Sequence, residues 1–209
     1  MNTILYLECS PRGAASYSRL IAEEAVEKLQ EKHPQARIVY RNLGGDPPPH
    51  VDALFTRAMF VPVAQRTPAE QQALAHSEAL IAELEAADMV VIGTPMHNYS
   101  VPSPLKAWID HIVRAHRTFL LTPTGKQGVL ADRPVYVIVA AGGYFASDIA
   151  RQPDFLTPYL SAVFSTIGIE SVEFVTLEGL GRGGEVVQAA LDAARQRIAD
   201  TMLADSAVL

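Results

Sequence analysis

Three short segments carry the residue types that could do chemistry in this 209-residue chain. The first is Cys9-Ser10-Pro11-Arg12-Gly13-Ala14-Ala15-Ser16-Tyr17-Ser18, which leads directly into a helical pattern. Hydroxyls at Ser10, Ser16 and Ser18, exposed backbone amides and the positive end of a helix suit a terminal phosphate, and Arg12 adds charge. The same serines also read as simple helix caps, so this segment alone leaves both uses open. No G-x-x-x-x-G-K-[ST] run is present, which favours a phosphate attached to a held cofactor over one being transferred. The second segment, Gly93 to Pro102, is stiffened by Pro95 and Pro102. Its backbone amides can bond the edge of a flat heterocycle while Met96 and Tyr99 supply apolar contact. The third, Ala140-Ala141-Gly142-Gly143-Tyr144, has paired glycines that let a backbone approach a ligand closely.

The elements that must position these loops are legible as alternating strands and helices. Apolar runs at Thr3–Glu8, Arg37–Asn42, Met89–Gly93, Val135–Ala140 and Ser171–Thr176 read as strands, the third and fourth apolar almost throughout, as parallel strands covered on both faces are. Between them, helical stripes run over Ser18–Lys32, Thr67–Glu85, about Ser103 to His116, Phe155–Thr166, and Glu185 to about Leu203. Thr67-Pro68-Ala69-Glu70 is a capping box with proline in the first turn. Five alternations predict an α/β doubly wound parallel sheet with helices on both faces, as a single domain over residues 1–209. In such sheets the ligand lies beyond the carboxyl ends of the strands, where all three loops fall. Leu43–Arg66, with Pro47–Pro49, is a long connection of the kind used for function or a subunit contact.

Composition narrows the role. Seventeen Lys and Arg against 23 Asp and Glu give a net charge of −6, which argues against a nucleic-acid surface. With Cys9 as its one cysteine the chain forms no internal disulfide and no thiolate metal cage. No apolar stretch approaches the length of a membrane span, and the expectation is a cytoplasmic protein with no membrane partner.

The residues Ser10, Ser16 and Ser18, the run PMHNYSVPSPLKAWID from Pro95 to Asp110, the Gly142-Gly143 pair and LTPYLSAVFSTIGI from Leu156 to Ile169 resemble the FMN-dependent NADH-azoreductases, which are also NAD(P)H:quinone oxidoreductases of flavodoxin-like fold. The resemblance covers nearly the whole chain. It implies a five-stranded sheet in the order 2-1-3-4-5. It also implies a bound FMN, with NADH or NADPH as hydride donor and small quinones or azo compounds as acceptors in a ping-pong cycle. By it, Ser10, Arg12, Ser16, Tyr17 and Ser18 hold the FMN phosphate. Pro95, Met96, His97, Asn98 and Tyr99 line the isoalloxazine; Gly142 and Gly143 close its pyrimidine end, with Ala140 and Ala141 before them also counted as cofactor-binding. The family's homodimers place the flavin at the subunit interface, and here Phe60, Leu121 and Tyr144 fall in the substrate pocket. Phe60 stands where some relatives carry arginine, His97 where many carry tyrosine, and Leu121 and Ala140-Ala141 also depart from the family pattern.

Other signals point elsewhere less well. Gly179-Leu180-Gly181-Arg182-Gly183-Gly184 satisfies G-x-G-x-x-G, but no strand follows to carry a ribose ligand, so it reads as the entry to the last helix. His111 and His116, five apart, make a poor metal pair and read as surface or interface residues; no metal is expected. Trp108 and Cys9 read as core. His97, in the loop facing the ligand edge, is the histidine assigned a catalytic role, although no side chain is required as general acid, since water or His97 can supply protons. The alternative to an enzyme is a flavodoxin-type electron carrier or a flavin-sensing regulator, against which the long Leu43–Arg66 connection counts. Hydrolysis of an acyl-carrier-protein phosphodiester lacks a metal or nucleophile cluster.

Overall fold

The computed structural model describes residues 1–146 and 148–202. The five apolar runs become the strands β1 (Thr3–Glu8), β2 (Arg37–Asn42), β3 (Met89–Pro95), β6 (Val135–Ala140) and β7 (Val172–Leu177). They form one parallel sheet in the order β2-β1-β3-β6-β7, the 2-1-3-4-5 arrangement once the parallel strands are counted alone. The helices are α1 (Tyr17–Lys32), α2 (Ala53–Ala58), α3 (Pro68–Ala86), α4 (Ser103–Ile112), α5 (Thr157–Ile167) and α6 (Gly184–Thr201). None of them is long and apolar enough to cross a membrane.

Because side chains alternate across a strand, each apolar run feeds two cores at once. Ile4, Tyr6, Met89, Val91, Tyr136 and Ile138 face α1 and α6, meeting Ile21, Leu29, Leu191 and Ile198. Leu5, Leu7, Val90, Ile92, Val135, Val137 and Val139 face the other way, onto Leu80, Leu84, Trp108, Ile112, Leu160 and Phe164 of α3, α4 and α5. Trp108 and Cys9 are buried as the sequence suggests. An Arg195–Glu24 ion pair at 2.8 Å joins α6 to α1.

Four features depart from the sequence reading. The long connection contains α2, capped by Asp52, whose side chain accepts from the Phe55 amide; six residues are too few for a periodic stripe to show. A two-stranded antiparallel hairpin, β4 (Phe119–Thr122) with β5 (Gly125–Gly128), was not expected, since its strands are short and half exposed. The Trp108 helix stops at Ile112 rather than His116, because Thr118 reaches back. The Thr118 hydroxyl donates to the Ile112 carbonyl at 2.7 Å and accepts from the Arg114 amide at 2.9 Å, and His116 takes a positive φ of 62°. His111 is buried, not a surface residue. The expected end of the last helix, Leu203, lies outside the described residues.

His111 fastens the proline-rich connection to α4. Its Nε2 lies 2.8 Å from the Pro49 carbonyl oxygen, and its ring meets Phe55 and His76 edge-on. Its Nδ1 is buried without a partner. Next to it, Arg114 is fully buried and donates to Ser77 Oγ at 2.9 Å and to Glu78 Oε1 at 2.8 Å. Burial holds the His111 pKa below its ordinary 6.5; His76 and Arg114 push the same way, and the Pro49 bond and Asp110 only partly oppose it. A base held neutral by the fold contributes stability that is present above the ordinary imidazole pKa and is lost as pH falls from 6.5 toward the depressed value. Thermal melts from pH 7.5 down to 5 should therefore show a larger drop for the native protein than for His111→Leu; parallel curves would contradict this.

Candidate functional site

The candidate site is a cavity of about 260 Å³ at the carboxyl edge of the sheet, lined by Ser10, Arg12, Ser16, Tyr17, Pro95, Met96, His97, Ala140, Ala141, Gly142, Leu180 and Gly181. All three segments singled out by residue type meet in it. Their meeting follows from register: Glu8 lies beside Gly93, Pro95 beside Ala140, and Ala140 beside Leu177, so the loops leave the sheet as neighbours.

The phosphate-like end is built on α1. Ser16 caps this helix, its Oγ accepting from the Arg19 amide at 3.3 Å and lying 3.1 Å from Ser18 Oγ; Ser10 Oγ accepts from the Arg12 amide at 3.3 Å. Ser16 closes the helix, as the capping reading has it, and it also lines the cavity, so its capping leaves the binding use open. α1 has no acidic residue in its first turn, so its positive end is uncompensated where Tyr17 enters the cavity wall. Ser18 is fully buried beneath this loop rather than in the wall. The buried Glu8 carboxylate behind the loop pairs with Arg19 at 3.4 Å and accepts a short hydrogen bond from Tyr40. Burial pushes the Tyr40 pKa up to about 12, helped by that bond, while burial also raises the Cys9 thiol, which makes it a packing residue and not a nucleophile.

Two close backbone approaches hold the loop in place. A Cβ on Gly93 would sit 2.9 Å from the Ser18 carbonyl oxygen, so glycine there lets α1 lie against β3. A Cβ on Gly44 would collide with the Ser10 carbonyl oxygen, and the Gly44 amide donates to Glu8 O at 3.0 Å.

The opposite wall is mostly backbone. The Met96 amide donates to Ala140 O at 2.9 Å, and His97 and Ser100 exchange backbone bonds at 2.9 and 3.0 Å around a tight turn. At its centre Asn98 and Tyr99 have φ of 49° and 70°, the pattern of a type I′ turn. His97, Asn98 and Tyr99 are exposed, but of the three only His97 is in the cavity wall. Beyond β6, Gly179, Leu180 and Gly181 donate to the carbonyls of Gly143, Ala141 and Gly142 at 3.0–3.1 Å. The glycine run after β7 is therefore more than a helix entry. It extends the sheet-edge ladder and supplies Leu180 and Gly181 to the cavity, a contribution that a dinucleotide-motif reading of the run does not reveal. Glu178 accepts from the amides of Phe145 and Ala146, the latter at 2.7 Å, and so fixes the turn beyond Gly143.

Three residues expected in a substrate pocket lie outside this wall. Phe60 is 57% exposed and Leu121 59% exposed, on the long connection and on β4. Tyr144 turns away, its ring beside Gly179 and under the Arg182 guanidinium at 5.1 Å. A larger, mainly apolar cleft of about 430 Å³ lies between α2, α4 and α5, against Phe55, Met59, Ile109, Val113, Tyr159 and Val163. Its lining also includes Thr56, Asp110, Lys126 and Thr166, but none of the three strand-end segments reaches it, so the smaller cavity where they meet is the better candidate for chemistry. Among the described residues no cluster of three or more His, Cys, Asp or Glu is placed to hold a metal.

An open parallel sheet in this strand order, with a helix terminus and amide-lined loops at its carboxyl edge, defines a flavodoxin-like protein. A family model described as "Flavodoxin-like fold" matches residues 2–202, and the chain belongs to that family. It is 51% identical over 187 residues to the FMN-dependent NADH:quinone oxidoreductase 2 of Cupriavidus pinatubonensis, covering 90% of this chain and 91% of the relative. It is 47% identical over 203 residues to the FMN-dependent NADH:quinone oxidoreductase 5 of Burkholderia lata, covering 97% and 96%. Among solved structures, an FMN-dependent NADH-azoreductase from Bacillus anthracis in complex with FMN superposes with a TM-score of 0.80 at 28% identity, covering 95% of this chain and 99% of that one.

The Gly44 contact yields a direct test. Gly44→Ala forces two backbones apart at the base of the phosphate-like loop and should destabilise the protein by about 1–3 kcal/mol, read as a lowered urea midpoint. An unchanged midpoint would mean that the Ser10 loop moves without cost.

Proposed function

We propose that this protein is an FMN-dependent NAD(P)H:quinone oxidoreductase that also reduces azo compounds, acting as a single flavodoxin-like domain in the cytoplasm. The observation that carries the reading is the convergence, in one strand-end cavity, of the uncompensated α1 N-terminus with Ser10, Arg12 and Ser16 at one end and a side-chain-poor wall at the other. These residues fit a flat phosphorylated cofactor. The helix terminus and hydroxyls suit a dianionic phosphate, and Gly142 and Gly181 leave a backbone surface on which a planar ring can lie. The relatives named above support FMN as that cofactor and NADH as its donor.

When bound, FMN supplies the two-electron hydride chemistry between a nicotinamide and a quinone or azo acceptor. The chain's own contribution is binding, orientation and electrostatics. Ser10, Arg12, Ser16 and Tyr17 hold the phosphate over the buried Ser18. Pro95, Met96 and His97, with the Asn98–Tyr99 turn beside them, would hold the cofactor from one side, and Ala140, Ala141, Gly142 and Gly143 from the other. Backbone amides from these loops favour negative charge along the ring edge. His97, exposed at the wall, serves as the proton donor to the acceptor. Donor and acceptor would enter this one open cavity in turn, the ping-pong order of addition.

The same reading makes the protein a homodimer. The apolar cleft between α2, α4 and α5 adjoins exposed apolar side chains on the long connection, among them Val51, Phe60 and Val63, and a second copy covering them removes that surface from water. Phe60 and Leu121 then complete a substrate pocket that a single chain leaves open, while Tyr144, turned toward Gly179 and Arg182, stays outside it.

Three measurements test the reading. The purified protein should be yellow and should bleach with NADH; a colourless protein that takes up no added FMN would sink it. Replacing Ser10 and Ser16 together by Ala should raise the Kd for FMN about tenfold. His97→Ala should keep FMN but lower turnover and flatten the pH–rate profile, and an unaltered profile would remove the proton role.

A further inference from the structure

Residues 151–156 run from beside Tyr144 in the β6 loop to the β3 turn and are tied at both ends. The amides of Arg151 and Gln152 donate to Tyr144 O at 3.1 and 3.4 Å, and the Phe155 amide donates to Tyr99 O at 3.0 Å. Within this stretch the Gln152 side chain is wedged between the two loops. Its Nε2 donates to Met96 Sδ at 3.2 Å, and its Oε1 lies where a Cβ on Gly143 would come within 2.5 Å. Gln152 is half-buried and is not part of the cavity wall, whereas Met96 is.

Methionine has three rotatable bonds and does not hold one shape by itself. A thioether is also a weak acceptor for an amide N–H that could bond water instead, so the contact is maintained by the packing of the segment that delivers it. Glu178 fixes the far side of the same turn through the Phe145 and Ala146 amides. Beyond the backbone bond from Met96 to Ala140 O, the Met96 side chain and the Gly143 turn are thereby braced against each other from outside the cavity by one side chain that touches both.

We propose that Gln152 is a positioning residue for the site: acting through Met96, it sets the slot between the β3 and β6 loops in which the ring of the cofactor lies. The inference rests on the FMN reading given above. It predicts a loss that passes through the Met96 sulfur and not through general stability.

The test is a double-mutant cycle on the full-length protein with FMN bound, using Gln152→Leu and Met96→Leu. Met96→Leu conserves volume while removing the sulfur. The readouts are the FMN Kd, from recovery of FMN fluorescence on dilution, and the visible circular dichroism of the bound flavin. Gln152→Leu should raise the Kd about fivefold and change the flavin dichroism when Met96 is intact, but change neither further when it is combined with Met96→Leu. Gln152→Glu, of the same shape but with no amide N–H, should reproduce the loss and serves if the leucine variant does not fold. Equal effects with and without Met96→Leu, or an unchanged Kd and dichroism, would overturn the proposal while leaving the FMN reading intact. A native protein that does not quench FMN fluorescence would instead sink the FMN reading and this inference with it.

Discussion

In-register parallel pairing of β1, β3, β6 and β7 is the constraint on which the site rests. Each strand is held to its neighbour by five or six consecutive residue pairs, and a slip of one residue would exchange the two buried faces. With Leu5, Leu7, Val90 and Ile92 committed to one core and Ile4, Tyr6, Met89 and Val91 to the other, no alternative register is open. The loops that follow Glu8, Pro95, Ala140 and Leu177 are consequently delivered to the same edge in a fixed order. The cavity is what lies between them.

Within that frame the α1 N-terminus depends on small residues placed well away from it in the chain. Gly93 lets the helix lie against β3, and Gly44 lets the turn after β2 press on Ser10. Neither lines the cavity, yet both set where its hydroxyls stand. Arg19 belongs to the same layer, holding the buried Glu8 carboxylate in an ion pair close to the loop proposed to bind a phosphate.

Much of this was legible in the sequence, for physical reasons that also mark where legibility ends. Strands buried on both faces announce themselves as continuous apolar runs, and the Thr67 capping box marks the start of α3 to the residue. Ser10, Arg12, Ser16, Met96, His97 and Gly142 share a cavity because strand-end loops in a parallel sheet must. Leu180 and Gly181 were not anticipated, since their contribution depends on ladder bonds to Ala141 and Gly142 that no local pattern encodes. The burial of His111 was hidden likewise: its partner, Pro49, is 62 residues away, and a histidine on a helix carries no sign of which carbonyl it will meet. The early end of α4 turns on Thr118, a side chain that captures a carbonyl from outside the helix.

The wall formed by Ala141, Gly142 and Gly181 is made of main chain, and this divides the cavity into a part that substitution can edit and a part it cannot. Side chains at Leu180, His97 and Met96 can be varied one at a time, and each would alter the shape or polarity of the mouth while the ladder beneath kept its hydrogen bonds. A library built at His97 and Leu180 would vary the mouth alone, whereas Met96, which Gln152 holds, also shapes the slot behind it. A side chain added at Gly142 or Gly181, where a Cβ comes no nearer than 4.0 Å to Gly181 N or 3.3 Å to Gly142 O, would fill the cavity without re-editing its wall.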